Sequence, residues 1–188
     1  MKNTSLTKAF YVLDLVIASG LGLFFPILAL LIKDYVPGAT IFSIALAQSV
    51  FLISKAGFSL LFAYFNNAIS PAKRNRLGLM LGYLITAVVP LVYASAHSIT
   101  TIYIAQVILG LGLGLAEPSW KAAFALHSSS DYKKYSGAYE VILVLACALT
   151  AALGGLIAYY SGFKPVLYMS SAACVIAAVG VMVSVPKK

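Results

Sequence analysis

The sequence predicts an all-α integral membrane protein. Six transmembrane helices form a single domain over residues 1–188, arranged as two inverted three-helix repeats. Three observations carry this. The chain is 62% hydrophobic and only 10% charged, with a mean hydropathy of +0.97. A soluble domain typically has about 25% charged and about 45–50% apolar residues, so this chain has too little polar surface to cover itself in water. Six stretches reach the roughly 20 mostly apolar residues that a membrane helix needs. Finally, short words in the first half return in the second half at a nearly constant offset.

The spans are expected at 9–32, 41–65, 77–96, 101–126, 136–160 and 165–185. Each break between them has a chemical reason. KDYVPGAT (33–40) brings charge, Pro and Gly, and NNAISPAKRNR (66–76) brings Asn, Pro and cations. ASAHSIT (94–100) is a short polar turn. HSSSDYKKYSG (127–137) is the most polar stretch, and YSGFKP (160–165) is a tight turn. The first span is too long and lacks the small-residue cleavage site of a signal peptide, so it is expected to remain as a helix.

The net charge is +8. In a soluble protein this would suggest nucleic acid; here a topology bias explains it. Short loops on the cytoplasmic side of a membrane protein collect Lys and Arg. One side holds Lys2, Lys8, Lys73, Arg74, Arg76, Lys133, Lys134, Lys187 and Lys188, and the other only Lys33 and Lys164. Both termini are therefore expected in the cytoplasm, with the chain in the plasma or inner membrane. Cys147 and Cys174 fall in apolar runs without metal-ligand spacing and read as small core residues. No metal, haem or nucleotide motif appears. No cofactor and no nucleic-acid partner is expected, and an enzyme is not.

GLGLFFP (20–26) returns as GLGLAEP (112–118), an offset of 92, and LLFAYF (60–65) returns as GLIAYY (155–160), an offset of 95. The two matches fall on corresponding helices. They set repeat 1 at about 9–96 and repeat 2 at about 101–185. Three helices per unit is an odd number, so the second unit must sit inverted. Inverted three-helix repeats are a signature of secondary transporters.

Three further stretches resemble the major facilitator superfamily. KRNRLGLMLG (73–82) resembles its basic loop motif, with Lys73, Arg74 and Arg76 at the cationic end and Gly82 at a following glycine. Where the family loop begins with Gly and Asp, this chain has Tyr64 and Asn66 or Asn67. QVILG (106–110) resembles R-x-x-x-G, with Gln106 in place of the arginine. TAALGGLIAYYSGFKPVLY (150–168) resembles the G-P-x-x-G-G antiporter motif: Gly154 and Gly155 are kept, while Thr150 and Ala151 replace Gly-Pro. The resemblance implies one six-helix half of a twelve-helix transporter whose halves share an axis along the membrane normal. It implies a parallel homodimer that rebuilds the whole, works by alternating access and uses a coupling proton. A half that needs a different half, or a non-transporting scaffold subunit, are the alternatives.

Intramembrane ionisable residues cost about 2.5–3.5 kcal/mol each on insertion scales, so they mark candidate pathways. Gln106, Gly110, Gly114, Glu117 and Lys121 share a helical face about 80° wide. Glu117 and Lys121 are four apart and expected to pair, either as a substrate-facing couple or as mutual neutralisation with Lys121 snorkelling. Pro118 is expected to kink that helix, and Trp120 reads as an interface anchor or a binding platform. Lys55 shares a face with Gln48, Phe51, Ser59 and Phe62. It reads either as an anion or coupling site or as half of an ion pair with an acid on another helix or on the partner chain. Asp14 and Glu140 each read as a proton site or a helix-start acid, with Lys121 or the basic loop as possible partners for Glu140. Gly20, Gly22, Pro26, Gly110, Gly114, Pro118, Gly154 and Gly155 are the kink and close-packing positions. Asp34 reads as solvated, and His97 and His127 as bland loop histidines.

Overall fold

The computed structural model describes residues 4–65, 70–127 and 132–184, and the side chains of all of these except 4–8, 10, 65, 124–127 and 132–136. Lys2, Asn66, Asn67, Lys187, Lys188 and the tract 128–131 lie outside the described residues. So do the side chains of Lys8, His127, Lys133 and Lys134. Among the described residues the chain is helical and carries no strand: α1 (Thr4–Phe24), a 3-10 turn (Phe25–Ile27), α2 (Leu28–Tyr35), α3 (Ile41–Phe65), α4 (Pro71–Ala94), α5 (Ile99–His127), α6 (Tyr132–Ser161) and α7 (Phe163–Ser184). Six spans are long and apolar enough to cross a membrane, with α1 and α2 together forming the first. This is a multi-pass membrane fold. Two of the connections turn on glycines with positive φ, Gly38 (75°) and Gly162 (79°), a conformation only glycine adopts freely.

Two features qualify the expected elements. First, α5 is one continuous helix through Pro118, while a 3-10 turn interrupts the first span at Pro26, the matching position of the repeated word. Around Pro118 the helix is braced: Ser119 is buried against Gly78 of α4, and Glu117 is held by Lys55 of α3. Pro26 is exposed. Second, α4 starts at Pro71, so Lys73, Arg74 and Arg76 lie on the first turns of a helix rather than in a loop. Pro71 suits that start, since its fixed φ is helical and its missing amide hydrogen is not needed there. Arg76 reaches across to donate to Met182 O at 2.7 Å, satisfying a carbonyl near the C-terminus of α7.

The packing pattern is consistent with two inverted repeats. α5 lies chiefly on α4 and α3, α1 lies chiefly on α7 and α6, and α4 packs on α7. Exchanging α1 with α5, α3 with α6 and α4 with α7 returns the same pattern, apart from an added contact of α6 with α7. The first helix of each repeat thus sits between the second and third helices of the other.

The repeated Gly-Leu-Gly word makes that insertion possible. A Cβ on Gly20 would stand 2.7 Å from Ala173 Cβ of α7, and one on Gly22 would overlap Thr150 of α6. In the other repeat, a Cβ on Gly112 would stand 2.9 Å from Gly82 O of α4, and one on Gly114 would stand 2.9 Å from Phe58 Cβ of α3. Gly110 packs on Ser54 and Lys55, and Gly154 on Leu23 O. Gly155, expected to pack closely, faces open space within the protomer. Small residues let backbones approach where lipid offers no hydrophobic drive for association.

The glycine contacts give a test with opposite signs. Gly57 has nothing near its missing Cβ, so Gly57→Ala should be neutral or stabilising by up to about 1 kcal/mol through helix propensity. Gly114→Ala should destabilise by about 1–3 kcal/mol through overpacking. Thermal unfolding in lipid nanodiscs reads both, and equal shifts would mean that Gly114 does not set the helix spacing.

Candidate functional site

Helices α3 and α6 are poorly clothed: 11% and 6% of their spanning windows are buried, against 39–50% for the other four. Between them, backed by α1 and α5, lies a cavity of about 680 Å³. α1 and the turn after it contribute Asp14, Gly22, Phe25 and Pro26; α3 contributes Phe51 and Lys55. α5 supplies Glu117, Trp120 and Lys121, and α6 supplies Tyr139, Glu140 and Cys147, with Tyr83 from α4. Three of the chain's five carboxylates therefore meet in one place.

The cavity occupies the half of the bundle where α1 starts and α7 finishes. Phe25 and Phe51 meet across its inner end, ring centroids 6.1 Å apart. Beyond them, the opposite half is filled by a continuous apolar cluster that includes Phe24, Leu28, Ile32, Ile102, Leu109 and Leu167. A smaller cluster around Tyr83, Ala116, Cys174 and Val181 backs the cavity itself.

The charged groups are not arranged as helix spacing suggests. Glu117 pairs with Lys55 of α3 at 2.5 Å, not with Lys121 four residues along its own helix. The reading of Lys55 as half of a cross-helix ion pair is thus the one the geometry bears out. The reason lies in the glycines: Gly110 and Gly114 bring α3 so close that Lys55 reaches Glu117 directly. Lys55 Nζ also stands 5.8 Å from the Phe51 ring centroid, a cation over an aromatic face. This is the one salt bridge among the described residues. Lys121 and Glu140 are exposed and have no ion pair there.

Asp14 is placed differently. Tyr139 Oη donates to its Oδ2 at 2.6 Å, linking α1 to α6. The Tyr139 ring packs on Tyr11 at 4.4 Å and stacks with Trp120 at 6.0 Å and 20°. Trp120 is therefore part of an aromatic wall and not an isolated anchor.

Other expected pathway residues lie elsewhere. Gln48 is exposed on α3 away from the lining, and Gln106 is 1% exposed with no partner for Oε1. Of the candidate glycines and prolines only Gly22 and Pro26 line the cavity; Gly20, Gly110, Gly114 and Gly154 hold its walls together. Lys73, Arg74 and Arg76 are remote from it. Cys174 is fully buried as expected, but Cys147 lines the cavity, so reading it as a core residue is corrected. Tyr139 and Tyr83 were missed. A phenol directly before Glu140, just ahead of the apolar run of α6, was the available signal for Tyr139.

A family model described as Major Facilitator Superfamily matches residues 10–188. No curated protein and no solved structure matches the chain.

The ion pair predicts strong coupling in a double-mutant cycle. Lys55→Met or Glu117→Gln alone should destabilise by about 1–3 kcal/mol, because each leaves a stranded partner. The double variant should recover much of that loss, giving a coupling of about 0.5–3 kcal/mol in unfolding assays in mixed micelles. Additive losses would contradict the pairing.

Proposed function

The chain belongs to the major facilitator superfamily, a family of transporters, and from that premise we propose that it is a secondary active transporter of a small molecule working as a parallel homodimer. The observation that carries this reading is the cavity itself. It gathers three carboxylates and two lysines from α1, α3, α5 and α6, and it is flanked by the two helices with the least burial. In the family, two six-helix halves related by an axis along the membrane normal enclose one pathway. A second copy set against α3 and α6 would supply the missing wall, so that two cavities merge into one with C2 symmetry.

Alternating access then amounts to rocking of two bundles about the shared cavity. The packed half beyond Phe25 and Phe51 and the open half below it correspond to one of the two states. A proton does work only if it binds one state better than the other. Asp14 is the best-placed carrier: it is held by a phenol between α1 and α6 and has no cation partner among the described residues. Glu117 is already neutralised by Lys55 and serves to tie α3 to α5.

Two measurements test this. The native Cys147 should react with a membrane-impermeant maleimide in sealed vesicles of either orientation, faster from one side, while Cys174 stays unlabelled. Labelling from one side only would indicate a fixed cavity, and labelling from neither would contradict an aqueous pathway. Asp14→Asn should remove the pH dependence of uptake in proteoliposomes without loss of folded protein. An unchanged pH profile would place coupling elsewhere.

A further inference from the structure

We propose that this cavity selects organic cations carrying an aromatic or alkyl body, an inference that rests on the cavity being the transport site. The sequence alone leaves the sign of the substrate open, because Lys55 suits an anion and the acids suit a cation. The ion pair resolves it. Lys55 is bound to Glu117 and lies over the Phe51 ring, so an anion would have to break that pair to reach it. Removing the pair from consideration leaves, among the described lining residues, Asp14 and Glu140 against Lys121, a net negative balance.

The rest of the lining agrees. Asp14 Oδ2 is bonded by Tyr139, and Oδ1 accepts no bond from a described residue, which leaves it for a ligand's N–H or positive charge. Tyr139 bonds Asp14 and stacks with Trp120, and Phe25, Phe51 and Tyr83 also line the wall. Aromatic faces carry negative potential; they attract cations and repel anions. Among the described residues the lining has no Asn, Gln, Ser or Thr. Sugars and other neutral polyols need convergent amides and aliphatic hydroxyls, and the described lining offers none. A volume of about 680 Å³ holds a drug-sized molecule. Carboxylate, aromatic wall and apolar remainder together specify a hydrophobic cation.

Trp120 is the chain's single tryptophan and lines the cavity, so its emission reports binding directly. The probes are tetraphenylphosphonium and tetraphenylborate, which share size and shape and differ in the sign of charge. Each is titrated into the full-length protein in zwitterionic lipid nanodiscs, with empty nanodiscs correcting for partition into lipid. Tetraphenylphosphonium should give a saturable change in Trp120 emission, and tetraphenylborate should bind at least about tenfold more weakly, a gap of about 1.4 kcal/mol. Asp14→Asn should weaken phosphonium binding about tenfold, as expected for loss of a charge-assisted contact. Glu140→Gln, an exposed position that should not disturb folding, should also weaken it. Glu117→Gln should instead strengthen borate binding by freeing Lys55. Equal or tighter binding of borate by the wild type overturns the inference while leaving the transporter reading intact. Phosphonium binding unchanged in both Asp14→Asn and Glu140→Gln, or saturable binding of neither probe, also overturns it. The transporter reading is judged separately, by access to Cys147.

Discussion

Everything in this bundle depends on how closely α1 and α5 approach the two helices each packs between. Inside a bilayer the apolar faces of helices gain nothing by leaving lipid for one another, so association rests on van der Waals contact and polar bonds. Contact of that kind grows steeply as side chains shrink. Gly20 and Gly22 let α1 settle between α7 and α6, and Gly112 and Gly114 let α5 settle between α4 and α3. The same Gly-Leu-Gly word thus does the same mechanical job twice, once in each repeat. Each repeat is held by the other, and neither half of the bundle packs as a closed unit without its counterpart.

That close packing also decides where the charges go. With α3 drawn against α5, Lys55 reaches Glu117, and two groups that would each be costly in lipid neutralise one another. Asp14 has no such cation among the described residues and is satisfied in part by Tyr139 on the opposite wall. The two walls are therefore built on different chemistry: an ion pair joins α3 to α5, and a phenol–carboxylate bond joins α1 to α6. The cavity lies between these ties, aromatic along one side and acidic in balance. The cavity is tied on two sides and bare along α3 and α6, the faces on which the proposed second copy would sit.

Much of this was legible in the sequence because the bilayer imposes length. A run of about 20 apolar residues has few alternatives to a spanning helix, so all six spans could be placed and only their ends moved, as with the start of α4 at Pro71. The glycine word was legible too, because it recurs. The identity of the acid that pairs with Lys55 was not. Helical periodicity reveals neighbours along one helix, and it singled out Lys121 for Glu117; the true partner lies on another helix, and which helices touch is not written in any local pattern. The same limit hid Tyr139, whose role appears only when α6 meets α1. Pro26 and Pro118 look equivalent in sequence, yet only Pro26 stands at a break between helices.

The account turns on two copies facing each other in the same direction, α3 of one against α6 of the other. The most direct measurement is disulfide cross-linking in native membranes between differently tagged copies, each cysteine-free except for one introduced site. Phe42 and Tyr160 are exposed at the same end of the bundle, on α3 and α6, while Val141 is exposed at the opposite end of α6. A parallel dimer predicts cross-linking of Phe42→Cys with Tyr160→Cys and none with Val141→Cys. Cross-linking of Phe42→Cys with Val141→Cys would reveal an antiparallel pair, and no cross-link at either would leave the cavity without its second wall. Either result would contradict the account.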